Sequence, residues 1–588
     1  MSLQFITGNS GNGKTKYLFN RIVKEAKANP RDNYLVIVPE QFTMQTQRQL
    51  VDLSENKAIM NIDVLSFKRL AYRVFDELGI TNLTVLEETG KNLVLRKLAA
   101  QEADKLGVIG RNLNRIGYIS EVKSLLSELV QYNISPEELG RYIASGRLSD
   151  TLSDKLKDVL VLYEAFEKFM QDKYITAEEI LNVLSNVAEE SAILRNSVIA
   201  FDEFTGFTPI QNQLIKKLFV ISKKIYVTLT IECREDIFKS RGMQELFDMP
   251  KRTVKSLTEM AAFYGIEVEE PIILDKNYRL AENEELSFME QQLFRKRRCS
   301  FKKVPKHIHI DCLRDPKQEL TKIARRINEL VRNENLRYRD IAIVTGDVNI
   351  YAGYVREIFD KYNIPYFIDA TQEILFHPFI EFIRSIPDIA AQHFSADAVF
   401  RFLRCGFTEL SAGEIDVLEN YVLACGVRGK SAWDKKWVRL PKHKAGYDLE
   451  LLNQSREYIM ELLKPVYQVF SDKKSTVKDY VLAIYKLIVL LDIPDKLAKK
   501  EQALLDAGDQ TASKEYGQIY KIVMQLFEKY VAVLGDECMD AEEFTQILDA
   551  GLDAADVAVI PPGYDTVTIG DIERTRLTNI KVMFFAGV

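Results

Sequence analysis

Cysteine is scarce, at six in 588 residues, and Cys233, Cys299, Cys312, Cys405, Cys425 and Cys538 include no C-x-x-C pair. That spacing excludes a zinc ribbon and a disulfide framework, and it leaves free thiols in a reducing compartment as the expectation. Histidine is scarcer still: His307, His309, His377, His393 and His443 stand too scattered to suggest a ligand cluster. No run approaches eighteen apolar residues, so no segment is expected to span a membrane. The opening MSLQFITGNSGNGKT has neither the basic start nor the apolar core of a signal peptide. An excess of positive charge is also missing, with a net charge of −6 and a pI of about 5.8. Contact with nucleic acid therefore requires a local basic surface rather than a basic chain.

What is present is an ordinary globular balance, 47% hydrophobic and 28% charged, which is enough for several cores. At about 100–200 residues per domain, three to five domains are expected. Leu3–Thr7 reads as a buried strand, Lys14–Ala28 as a helix and Tyr34–Val38 as a second strand stopped by Pro39, the start of a parallel α/β sheet. Residues 85–190 repeat apolar positions at three and four and read as a helical insertion. The α/β pattern resumes with strands at Ser197–Asp202 and Lys224–Thr230. A second α/β unit follows, with strands at Ile308–Cys312, Ile341–Thr345, Tyr366–Asp369, Val567–Gly570 and Val582–Ala586. The expected division is therefore a first domain of residues 1–84 and 191–290 and a second of 291–384 and 550–588. Helical insertions occupy 85–190 and 385–549. Because the chain stops just after an apolar strand, at Phe584–Val588, a further C-terminal part is expected.

The segment Gly8-Asn9-Ser10-Gly11-Asn12-Gly13-Lys14-Thr15 fits G-x-x-x-x-G-K-[ST] between a strand and a helix. Its glycines Gly8, Gly11 and Gly13 let backbone N–H groups face phosphate oxygens, and the helix directs its positive end at the same anion. Lys14 would reach the β- and γ-phosphates of ATP, and Thr15 would ligate Mg²⁺. The apolar strand ending in Asp202 and Glu203 supplies the complement: Asp202 to hold Mg²⁺ through water, Glu203 to polarise an attacking water.

Beyond the second strand, Gln41 and Thr43 lie where open parallel sheets contact ligands. Ser66–Arg73 interleaves aromatics with bases. Phe67, Arg69 and Tyr72 suit stacking and phosphate pairing on a single strand, although the same segment also reads as a helix burying Phe67, Leu70 and Val74. The strongest charge run, Phe294–His307, carries seven Lys or Arg. It reads either as a face for DNA phosphates or as a solvated interdomain linker.

These motifs, with VPEQFT, LSFKRLAYRV, FDEFTGFTP, the stretch from Arg337 to Asp369, His377-Pro378, LENYVLACGVRG and the C-terminal VTIGDIERTRLTNIKVMFFAGV, resemble AddB, the second component of bacterial AddAB helicase–nucleases. The resemblance implies two RecA-like P-loop NTPase domains of superfamily-1 helicase type, each with a helical insertion, in a cytoplasmic heterodimer with an AddA-like subunit. It implies resection of DNA double-strand breaks for recombinational repair, with recognition of Chi in single-stranded DNA. By similarity Gln41, Thr43, Phe67, Arg69, Tyr72 and Phe207 would line the strand's channel. The resemblance places an iron–sulfur cluster and a nuclease domain only in a C-terminal part, and the late helicase arginine beyond Val588. This stretch is therefore expected to lack nuclease activity and to have little or no ATPase activity alone. Where a working helicase carries a threonine-histidine-lysine-glycine type segment, Gly570–Arg576 reads GDIERTR. That favours an alternative in which the protein is a non-catalytic DNA-binding scaffold with a vestigial ATP site. A small-molecule kinase is a third reading, disfavoured by size and by the absence of a lid-like arginine cluster.

Overall fold

Along the first strand, β1 (Ser2–Gly8), Leu3 and Phe5 enter one hydrophobic core while Ile6 enters another. The same alternation recurs in β2 (Tyr34–Ile37), where Leu35 and Ile37 join the first core and Tyr34 and Val36 the second. A sheet buried on both faces in this way is the signature of a parallel sheet covered by crossover helices. The computed structural model describes residues 1–588 except 56, 81–84, 87, 109, 111–117, 147, 171–173, 296–298, 370, 371, 375, 442–446, 554, 555, 558–564, 574, 576 and 578. The chain divides into two compact units: Met1–Val85, Leu126–Glu138 and Met170–Leu313 form the first, and Leu86–Leu125, Leu139–Phe169 and Arg314–Val588 the second.

In the first unit a parallel sheet runs in the order β3 (Ile62–Leu65), β2, Val198–Phe201, Lys224–Thr230, β1 and Glu267–Val268, with Ile272–Leu274 also pairing β1. Helix α1 (Lys14–Ala28) buries Leu18, Phe19, Ile22 and Ala26, a three-and-four spacing that seats it on the sheet. It begins from Gly13, held at φ 78° with no side-chain cap, so its first amide groups are left to an external acceptor. Helix α2 (Thr43–Leu53) follows the short turn Glu40–Phe42. Helix α3 (Phe67–Leu78) is capped by Ser66, whose side chain accepts from the Arg69 N–H, and it stops at Gly79 in the left-handed region. It buries Phe67, Leu70, Ala71, Val74 and Phe75, each large side chain contributing roughly 1.5–3 kcal/mol, so the buried face rather than the cap holds it.

In the second unit a four-stranded parallel sheet runs Tyr366–Ile368, Val567–Asp571, Ile341–Thr345, Val582–Ala586. The helices Pro316–Asn333 and Val348–Tyr362 pack on it through Leu320, Ile327, Val355 and Phe359. A larger helical core contains Phe379, Phe382, Phe402 and the fully buried Trp433. The strand expected at Ile308–Cys312 does not form: the segment is irregular, and Ile310 is 94% exposed. Its apolar–polar alternation resembles a strand, but among the described residues it joins none of the sheets. No described helix is long and apolar enough to cross a membrane.

Candidate nucleotide and nucleic-acid site

The P-loop leaves β1 at its carboxyl end, and the sheet order brings a second strand end to the same edge. Val198–Phe201 lies two places from β1, with Lys224–Thr230 between them. Thr15 Oγ1 donates to Asp202 Oδ1 at 3.2 Å and to Glu203 Oε1 at 3.3 Å. Asp202 is buried and also accepts from Thr228 on the intervening strand. Glu203 is exposed and holds φ 65°, a left-handed conformation uncommon for a non-glycine residue and a store of backbone strain where the chain leaves the strand. Lys14 Nζ donates to the carbonyls of Gly8 and Asn9 at 3.1 and 3.0 Å. Burial draws the Lys14 ammonium below the usual lysine range, opposed by the carboxylates of Glu203 and Asp202.

A second segment packs against this loop. Asn277 Nδ2 donates to Ser10 O at 2.9 Å, and the Tyr278 and Arg279 N–H groups donate to Gly11 O at 3.0 and 3.3 Å. Asn12 Nδ2 donates to Leu274 O at 2.5 Å. Glycine is required here: a Cβ on Gly8 would meet Leu274 O at 2.5 Å, and one on Gly11, at φ 86°, would meet Arg279 Cβ and Asn277 Oδ1 at 2.9 Å. The exposed Tyr278 ring lies beside Gly13, and Arg279 adds a second cation near Lys14. Sequence reasoning missed Asn277–Arg279. The signal was there, in a polar turn directly after an apolar strand, but its place against the P-loop depends on tertiary structure.

Thr15, Asp202 and Glu203 converge as a hydroxyl and two carboxylates beside an ammonium and an uncapped helix start. That donor set fits a Mg²⁺–phosphate pair, because Mg²⁺ takes one or two protein oxygens and completes its shell with phosphate and water. Among the described residues no group of three or more His, Cys, Asp or Glu is gathered for a metal, and all six cysteines are free.

The residues expected to meet a single strand divide by environment. Phe67 is buried in an aromatic cluster, with ring centroids 5.8 Å from Phe201, 5.6 Å from Phe204 and 6.3 Å from Phe207. Thr43 is buried, and its hydroxyl donates to Glu40 O at 3.0 Å. Gln41, Arg69 and Tyr72 face solvent. Glu40, which sequence reasoning passed over, ties the two segments together: it accepts from Ser66 Oγ at 3.1 Å and lies 3.7 Å from Arg69. Around it lies a cleft of about 390 Å³ whose walls include Val38, Glu40, Ser66, Phe67, Phe204 and Gln211.

The basic run belongs to the first unit, and two of its side chains, Arg295 and Lys303, find acidic partners there. Arg295 Nε pairs with Glu232 at 2.7 Å, its guanidinium reaches Glu290 at 3.8 Å, and it lies 4.8 Å over the Phe247 ring. Lys303 pairs with Glu284, and the Lys306 and His307 N–H groups donate to Glu285 at 2.7 and 2.8 Å. Lys296, Arg297 and Arg298 lie outside the described residues, as do Arg574 and Arg576. In the altered segment near the C-terminus, Thr575 Oγ1 donates to Asp369 Oδ2 at 2.7 Å and accepts from the Asp571 N–H at 3.1 Å.

Residues 5–290 match the family model described as ADDB, N-terminal. The whole chain is similar to proteins named as the B subunit of an ATP-dependent helicase/deoxyribonuclease. It is 39% identical over 598 residues to that of Lachnoclostridium phytofermentans, covering 100% of this chain and 52% of the relative. It is 31% identical to that of Clostridium novyi and 32% identical to that of Caldanaerobacter subterraneus, each alignment covering 100% of this chain and 51% of the relative. The chain thus spans about half the length of the curated relatives it matches.

Proposed function

We propose, from the match of residues 5–290 to the family model described as ADDB, N-terminal, that the chain is the helicase-like, ATP-binding part of the AddB component of an ATP-dependent helicase/nuclease. In this reading its two parallel sheets belong to two RecA-like modules of superfamily-1 helicase type, one formed by residues 1–84 and 191–290 and the other by 291–384 and 550–588. Its partner is an AddA-like subunit. The assembled cytoplasmic enzyme resects DNA double-strand breaks for recombinational repair and recognises Chi in single-stranded DNA. The names of the relatives support ATP dependence, a complex of subunits and a DNA substrate.

One observation carries the ATP half of the proposal: Thr15 and Lys14 of the P-loop lie against Asp202 and Glu203 at the same sheet edge. With Mg·ATP in place, Lys14 would leave its own loop carbonyls for phosphate oxygens. Thr15 and Asp202 would hold Mg²⁺ directly and through water, and Glu203 would orient a water at the γ-phosphate. Bound ATP would supply a γ-phosphoryl group open to transfer to water. Gln41, Arg69 and Tyr72 would meet the single strand directly, with Thr43, Phe67 and Phe207 shaping the wall behind them.

A titration of Mg·ATP into the chain, with Lys14→Ala as control, tests the reading. Saturable binding abolished by Lys14→Ala is the expected result. Binding that is absent, or indifferent to Lys14, rejects the nucleotide site. A second reading, a non-catalytic DNA-binding scaffold, is favoured by the GDIERTR sequence of Gly570–Arg576. It predicts strand binding by the assembled enzyme that no nucleotide alters.

A further inference from the structure

The P-loop is held from behind by a segment from the other end of the first unit. Asn277 Nδ2 donates to Ser10 O at 2.9 Å across 267 positions of sequence. The N–H groups of Tyr278 and Arg279 close on the next carbonyl, Gly11 O. In a trans peptide the C=O and N–H groups point in opposite directions. Fixing the Ser10 carbonyl toward Asn277 therefore turns the Gly11 N–H away from the brace, while the next amide, of Asn12, donates within the loop to Asn9 O at 3.2 Å. Phosphate recognition by such loops depends on that orientation of successive N–H groups. Asn277 is also anchored itself: its Oδ1 accepts from the Leu280 N–H at 2.9 Å. The side chain thus has two separable jobs, an acceptor that closes its own turn and a donor that reaches the P-loop.

We infer that Asn277 is a positioning residue for the nucleotide site, its side-chain amide orienting the Ser10–Gly11 peptide so that the loop presents its N–H groups to phosphate. The inference rests on the reading of Gly8–Thr15 as a nucleotide site. Tyr278 and Arg279 contribute to the same brace only through backbone N–H groups, so Asn277 is the one side chain of the three whose substitution removes a bond to the loop.

Asn277→Asp separates the two jobs, because a carboxylate still accepts from the Leu280 N–H but no longer donates to Ser10 O. The experiment measures binding of Mg·ATP, inorganic triphosphate and adenosine to the parent chain and to its Asn277→Asp and Asn277→Ala variants, beside thermal melting of each. For Asn277→Asp the expected result is about a tenfold loss of affinity for both Mg·ATP and triphosphate. Adenosine binding and the melting temperature should stay at the parent values. Asn277→Ala should lose at least as much phosphate affinity and also melt earlier, since its turn is no longer closed. Lys14-dependent Mg·ATP binding unchanged by Asn277→Asp overturns the inference alone. An equal loss for adenosine and triphosphate, or an affinity loss seen only together with earlier melting, also overturns it and makes Asn277 structural. Mg·ATP binding that is absent from the parent chain, or unaffected by Lys14→Ala, overturns the underlying nucleotide reading and this inference with it.

Discussion

Thr15 Oγ1 lies 3.2 Å from Asp202 Oδ1, a contact between residues 187 positions apart that joins the P-loop to the acidic end of a strand two places away in the sheet. A hydroxyl and a carboxylate at that distance can share one Mg²⁺ when phosphate and water complete its shell.

The pairing predicts how nucleotide affinity depends on the metal. Thr15→Val keeps the shape of the side chain and removes its oxygen. The gain in ATP affinity that Mg²⁺ gives the parent chain should shrink toward nothing, while binding in EDTA stays near the parent value. Titrations with Mg²⁺ and with EDTA check this, and an undiminished Mg²⁺ effect in Thr15→Val would remove Thr15 from the metal site.

Phe67 and Arg69 are two residues apart on α3 and should respond differently to alanine. Phe67 is buried among Phe201, Phe204 and Phe207, so Phe67→Ala should cost roughly 3 kcal/mol of stability. Arg69 is exposed and sits at 3.7 Å from Glu40, so Arg69→Ala should change stability by no more than about 0.5 kcal/mol. Arg69→Ala is therefore the clean probe of strand binding. It should weaken oligonucleotide binding by the assembled enzyme and make it less steeply dependent on salt. Urea melts of both variants and binding of Arg69→Ala at two salt concentrations check the pair. An unchanged salt dependence would take Arg69 out of the strand's path.

Much of the fold was legible because local pattern and burial agree. Helix α1 begins at Lys14 and ends at Ala28 where periodicity places it, and Lys224–Thr230 and Ile341–Thr345 form as strands over their expected spans. Each of these two strands is an apolar stretch with parallel neighbours on both sides. Ile308–Cys312 has the same alternation without the neighbours, and a ladder cannot be read from one strand. The brace at Asn277–Arg279 was illegible for a related reason: nothing local says that a polar turn will meet a loop 267 positions earlier. Charge misled at Arg295, whose place in the densest basic run conceals that Glu232 and Glu290 hold it. Thr43 reads as a polar contact at a sheet edge, yet its hydroxyl is bonded to the turn before its own helix.

Arg295 should therefore behave as a structural residue. Its side chain and those of Glu232 and Glu290 are only 12–19% exposed. Removing it leaves the Glu232 carboxylate without this partner, and Glu290 with its bond from Asn9 Nδ2 at 2.9 Å, at a cost of roughly 3 kcal/mol. Lys303, exposed at 69%, should be replaceable by alanine within about 0.5 kcal/mol. Chemical denaturation of Arg295→Ala and Lys303→Ala compares them directly. If Arg295→Ala melts like the parent chain but loses affinity for DNA, the run is a DNA-facing surface after all.

In the second unit, His377 links stability to pH. It precedes the helix Pro378–Ala391 as its cap, and its Nδ1 accepts from the Phe379 N–H at 3.1 Å, which requires an unprotonated nitrogen. The residue is 4% exposed, its ring lies tilted at 60° with its centroid 4.4 Å from that of Tyr516, and its Nε2 finds no hydrogen-bond partner among the described residues. Burial pushes the imidazole down from 6.5 to about 4. A base whose folded value is depressed binds more protons when unfolded. Its contribution is therefore complete above pH 6.5, falls as the pH drops toward 4, and is gone below that. A shift from 6.5 to about 4 corresponds to about 3 kcal/mol in all, of which roughly 2 kcal/mol should be lost by pH 5. Asparagine caps a helix without titrating in this range. In urea unfolding at pH 7 and pH 5, the parent chain should lose about 2 kcal/mol more than His377→Asn. Equal losses in the two proteins would mean that His377 is protonated in the folded chain at pH 5 and does not cap the helix through a neutral Nδ1.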